Sequence, residues 1–164
     1  MVSTHFTFSL SPFPRLINSF IFVTETCGGT LGAIFSIFLA ALTTEARSLA
    51  GSAPTATASL EFWGSAATRA ITTLQRSTAA REGHRTVMDA LIPFVAALSK
   101  ATTFGDAVEA CKAGGEGTAK LTAKLGRATY VTDTGNLPPD PGAMSLVFLT
   151  KGMEEGLARE VEKV

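Results

Sequence analysis

The chain has 164 residues, of which 46% are hydrophobic and 17% charged, and its 14 basic residues balance 14 acidic ones. That much apolar material with so little charge excludes a disordered chain, and the length is that of one domain. No long basic run offers a nucleic-acid footprint, and Cys27 and Cys111 sit in no CxxC or Cys/His set, which argues against a disulfide framework or structural zinc and fits a reducing compartment.

Residues 1–26 differ from the rest. They hold five Phe and two Pro, with Arg15 as the one basic residue. The apolar run at 16–23 is shorter than the roughly twenty residues a spanning helix needs. Pro12 and Pro14 break what would otherwise resemble a signal peptide. This stretch is expected to be an atypical, poorly packed leader, with the domain at 27–164.

From Gly32 on, the chain is rich in Ala and Leu, with Gly and Pro between segments, which predicts helices. The first, at about 30–47, follows Gly28-Gly29. It is apolar almost all round (Ile34, Phe35, Ile37, Phe38, Leu39, Leu42), so it should be among the most buried. The second, at about 59–78, buries Leu60, Trp63, Ala67, Ile71 and Leu74 at steps of three and four. A polar turn follows at Arg81 to Arg85, in which His84 reads as solvated. The third opens at Thr86 and carries Val87, Leu91, Phe94, Val95 and Leu98 on one face. Pro93 within it predicts a kink or a later start.

The fourth segment, at about 104–125, carries Ala107, Ala110, Cys111 and Leu121 on a narrow stripe. Gly114, Gly115 and Gly117 weaken its middle, at about 1 kcal/mol each against Ala. Asp106 caps or flanks its start. The fifth runs from Pro141 to about Val161. Its start is written in Asp140-Pro141-Gly142: Asp140 caps free N–H groups and Pro141 needs no N–H at the first position. A helix N-terminus suits phosphate, and Arg127, in the basic turn Gly126-Arg127, adds a forked cation. Arg127 and the helix start could grip one anion, or form an ordinary capped loop with a solvated Arg. No strand pattern or repeat appears. The fold class is all-α, an antiparallel helical bundle. Alternate turns of such a bundle share an end, which would gather Gly28-Gly29-Thr30, His84-Arg85-Thr86 and 127–142.

Three segments then carry a family resemblance: Gly28-Gly29-Thr30-Leu31-Gly32-Ala33, His84-Arg85-Thr86-Val87-Met88-Asp89-Ala90-Leu91, and Gly126-Arg127-Ala128 followed by Asp140-Pro141-Gly142-Ala143. In order and spacing the sequence resembles the nucleotide-binding, C-terminal DhaL or DAK2 domain of dihydroxyacetone (glycerone) kinases. The resemblance implies an eight-helix barrel, here incomplete, that binds ATP or ADP at one end with Mg2+ held by aspartates. It implies phosphoryl transfer from ATP to dihydroxyacetone, bound by a separate domain, in the cytoplasm, with no nucleic acid or membrane as partner. It assigns the nucleotide to Gly29, Thr30, Leu31, Thr78, Val87, Arg127, Asp140, Pro141 and Gly142, and has Asp89 orient its turn by hydrogen bonds.

There are departures. Leu31 stands where the family often has Ser, and Val87 where many members have Met. The family's GDGDxG metal motif has no counterpart, because residues 1–26 contain no Asp and only one acid, Glu25. The expectation is an N-terminally truncated domain with no metal ligands or catalytic residues of its own, inactive alone. The alternative is a degenerate nucleotide-binding or regulatory module without catalysis.

Overall fold

A computed structural model describes residues 28–51, 59–100, 103–130 and 137–161, with only the backbone of 127, 128, 160 and 161. The leader, His5, Cys27 and Asp133 lie outside the described residues. Every described element is helical, in the order α1 (Gly29–Ala50), α2 (Leu60–Ser77), α3 (Met88–Leu98), α4 (Phe104–Gly117) and α5 (Pro141–Val161). Short 3-10 turns lie at Thr118–Lys120 and Arg127–Tyr130. The all-α class agrees with the sequence reading. The described residues divide into two compact units, one with α1, α2 and residues 98–100, the other with 79–97 and 103–161.

In the first unit α1 packs along α2. Ile34, Phe38, Ala41 and Ala46 of α1 are buried, as are Ala66, Ala67, Ala70, Ile71 and Leu74 of α2. Small residues on α2 let the two helices approach. Gly64 makes a separate close approach, since a Cβ there would run into the backbone of Leu98 and Ser99. Ser59 caps α2, its hydroxyl accepting from the Phe62 N–H at 3.2 Å. The ring of Trp63 stands edge-on to Phe62, with centroids 5.4 Å apart.

The expected burial of the first segment is corrected. Phe35, Ile37, Leu39 and Leu42 are only half-buried, and Ala33 and Ala40 are exposed. Among the described residues of its unit α1 packs chiefly on α2, so one stripe is covered although the composition is apolar all round. By length and composition α1 could cross a membrane, at a mean hydropathy of 1.4.

In the second unit α4 packs on α5. Ala107, Val108, Cys111 and Gly115 of α4 are buried, as are Ala143, Leu146, Val147 and Thr150 of α5. A Cβ at Gly115 would crowd the Val147 side chain, so this glycine sets how closely the pair approaches. Burial pushes the Cys111 thiol above its ordinary value of 9.0, against a hydrogen bond with Thr150 that lowers it. Thr103 and Asp106 form a capping box at the start of α4. The Phe94 and Phe104 rings meet edge to face at 5.9 Å.

Two boundaries differ from expectation. The third helix begins at Met88 rather than Thr86 and continues through Pro93. The fourth ends at Gly117 rather than near Leu125 and tightens into the 3-10 turn. The glycines expected to weaken α4 lie inside it; a Cβ would meet Asp89 at Gly114 and Val147 at Gly115, while nothing lies near Gly117.

Candidate functional site

The site is built from the turn that precedes α3. Gly83 takes a φ of +83° and Arg85 one of +57°. For a non-glycine residue this left-handed backbone costs about 1–3 kcal/mol and persists only where the surroundings enforce it. Asp89, 3% exposed, provides part of that enforcement. Its carboxylate accepts from the Thr86 N–H at 2.8 Å and from the Gly83 N–H at 2.5 Å. The Thr86 hydroxyl accepts from the Met88 N–H at 3.2 Å. Asp89 thus closes its own turn by hydrogen bonds, as the resemblance implied. Burial of a carboxylate is costly unless donors of this kind meet it.

Arg85 supplies the longer ties. It is 7% exposed, and its Nε donates to the Thr118 carbonyl at 3.3 Å while Nη2 donates to the Pro138 carbonyl at 2.7 Å. Thr118 is fully buried where α4 ends. Its hydroxyl donates to the Gly115 carbonyl at 2.5 Å and accepts from the Asp140 N–H at 2.7 Å. Asp140 in turn caps α5, its carboxylate accepting from the Ala143 N–H at 2.9 Å. The Lys124 N–H donates to the His84 carbonyl at 3.3 Å, which ties the approach to the basic turn onto the same residues. Gly126, at φ +67°, then opens the Arg127–Tyr130 turn. The Thr129 hydroxyl closes back on the Gly126 carbonyl at 2.7 Å, and Tyr130 is 85% exposed.

One hydrogen-bonded assembly therefore joins the 83–89 turn, the end of α4, Lys124 and the start of α5. It brings Val87, Asp140, Pro141 and Gly142 into one unit. Val87 is buried at 4% exposure, and its carbonyl accepts from the Ala90 and Leu91 N–H groups as the helix begins. Pro141 has no N–H and Ala143 gives its own to the cap, which leaves Gly142 as the first-turn N–H outside the cap. The backbone of Arg127 begins the 3-10 turn, while its side chain lies outside the described residues. Gly29, Thr30, Leu31 and Thr78 belong to the first unit. Gly29 and Thr30 are exposed at the start of α1, Leu31 is half-buried, and Thr78 ends α2 in extended backbone.

The structure corrects one minor reading. His84 is only partly solvated: the residue is half-buried, and its Nδ1 is buried with no hydrogen-bond partner. The sequence reading named Arg85 only as part of a turn motif, with no role of its own, and missed Thr118. The one local cue was Gly83, whose positive φ marks a tight turn just before Arg85.

Magnesium prefers carboxylate and phosphate oxygens. Among the described residues no three His, Cys, Asp or Glu side chains gather as a candidate metal site, and the Asp89 and Asp140 carboxylates already accept backbone N–H groups. The described residues therefore do not fit a magnesium ion.

Residues 20–155 match the family model described as "DAK2 domain", so the match starts inside the stretch read as a leader. The chain is 36% identical over 151 residues to a dihydroxyacetone kinase of Komagataella pastoris, covering 87% of this chain and 25% of that protein. It is 38% identical over 127 residues to a putative 3,4-dihydroxy-2-butanone kinase of Solanum lycopersicum, covering 72% and 21%. It is 28% identical over 155 residues to the triokinase/FMN cyclase of Homo sapiens, covering 90% and 26%. The chain spans about a quarter of the length of the curated relatives it matches.

Proposed function

The chain belongs to the DAK2 domain family, and on that premise we propose that it is the nucleotide-binding part of a dihydroxyacetone kinase. ATP or ADP would bind where the α5 start faces the turn before α3, and the γ-phosphoryl would pass to a hydroxyl of dihydroxyacetone held by a separate domain. One observation carries this reading. The segments that match the family, His84 to Leu91 and Asp140 to Ala143, are tied together by Arg85, Thr118 and Asp140. The helix dipole and the Gly142 N–H favour an anion there, and Arg127, in the turn that follows Lys124, is the cation assigned to it. The family resemblance also assigns the nucleotide Gly29, Thr30, Leu31 and Thr78, which lie in the first unit, and Val87.

A reading without catalysis has its own support, since the Asp89 and Asp140 carboxylates already serve the backbone and the described residues offer no magnesium set. We therefore propose binding as the property of this chain, with phosphoryl transfer requiring further parts. We propose a cytoplasmic protein in which α1 packs on α2, within the stretch that the family match covers. Calorimetric titration of the chain with ADP tests the proposal. Saturable binding at micromolar to millimolar ADP is expected, and no heat at millimolar ADP would refute it.

A further inference from the structure

We propose that Arg85 is a positioning residue that sets the start of α5 in the register a nucleotide's phosphates require. The inference rests on the nucleotide reading above and adds a residue to it. Two features separate this role from that of a direct phosphate ligand. First, two of its three guanidinium nitrogens are already engaged, Nε and Nη2 bonding the Thr118 and Pro138 carbonyls, and the residue is 7% exposed. Second, those carbonyls stand twenty residues apart in the chain, so the guanidinium is a cross-strut over a long connection. A connection of that length has many conformations, and fixing its two ends removes much of that freedom. Thr118 repeats the tie a step further along, because its hydroxyl holds the Asp140 N–H just before the cap. Arg85 keeps a backbone conformation that glycine would adopt more easily, which fits a position where the side chain is worth the strain.

The test uses the full chain with Arg85→Lys, Arg85→Gly and Thr118→Val, read by ADP titration and by amide hydrogen exchange. Lysine keeps the charge but cannot span two carbonyls, and glycine keeps the backbone but removes the strut. Expected are roughly tenfold losses of ADP affinity in all three, each the equivalent of one hydrogen bond. Exchange at the Ala143 and Met144 amides should speed up by about the same factor, while exchange in α4 stays as in the unaltered chain. Arg85→Lys combined with Thr118→Val should lose little more than either alone, because both hold one loop. The proposal is overturned if Arg85→Lys binds ADP within about twofold of the unaltered chain, which would make Arg85 a charge for the phosphate. It is overturned equally if exchange at Ala143 and Met144 does not change. If the unaltered chain fails to bind ADP, the nucleotide reading falls and takes with it the role assigned to the strut in binding. The exchange rates then show separately whether Arg85 holds the loop. Thr118→Val carries the same comparison without altering a charge, should the Arg85 variants fold poorly.

Discussion

The backbone of Gly114 lies directly against the carbonyl of Asp89, the carbonyl that Pro93 leaves without its helical donor. A helix that carries a proline within it and a helix that carries glycines within it thereby meet at these positions. The same residue, Asp89, closes the turn before α3 with its side chain and receives α4 with its main chain.

Gly114→Ala should therefore destabilise the chain by about 1–3 kcal/mol through overpacking, even though alanine is the better helix former. Gly117→Ala is the control, since nothing lies within 4 Å of a Cβ there. It should be neutral or stabilising by up to about 1 kcal/mol. Urea denaturation of both variants decides between them, and equal stabilities would remove the close approach.

Asp89→Ala leaves two backbone N–H groups without an acceptor in a buried turn. A loss of about 3 kcal/mol is expected, since hydrogen bonds to a charged group are worth about 1.5–3 kcal/mol each. Asp89→Asn retains one acceptor oxygen and should lose about half as much. Chemical denaturation gives the ordering, and indistinguishable variants would mean the turn holds without its carboxylate.

For Arg127, replacement by Ala should weaken ADP binding by about ten- to a hundredfold, as expected for a charge-assisted hydrogen bond. Arg127→Lys should recover part of it, since a point charge cannot reproduce the fork. Asp140→Ala should act instead on stability, by about 1 kcal/mol through loss of the cap seen at Ala143. Titration and melting of the three variants separate the two effects.

The Cys111 thiol is pushed above 9.0 by burial, so the folded chain holds that proton more tightly than the unfolded one. The contribution to stability is complete below pH 9.0 and is lost as pH rises toward the folded value. Stability should fall above that pH in the unaltered chain and fall less in Cys111→Ala. Parallel slopes in denaturation series across alkaline pH would count against a buried neutral thiol.

How much of this was legible in the sequence varies by residue. The start of α5 could be read to the residue, because Asp140-Pro141-Gly142 writes the cap and the first turn locally. The end of α4 could not. The 3-10 turn at Thr118–Lys120 carries the apolar spacing on to Leu121, and the use of Gly114 depends on a neighbouring helix. Arg85 read as one more charge in a polar turn, because its burial is created by carbonyls 33 and 53 residues away. The apolar surround of α1 pointed to a central helix, yet coverage depends on how many partners a helix has. The candidate site was legible in its matching segments and illegible in the polar ties that join them.

The contrast between Trp63 and Tyr130 gives the two units separate optical reporters. The chain has one Trp and one Tyr. Trp63 is half-buried in α2 of the first unit, against the edge of Phe62, and Tyr130 stands 85% exposed in the second. Indole emission should shift to longer wavelength when the α1–α2 pair opens. Phenol emission should be open to soluble quenchers in the folded chain and should report on the turn that begins at Arg127. No label is needed to learn whether the two halves melt in one transition or in two.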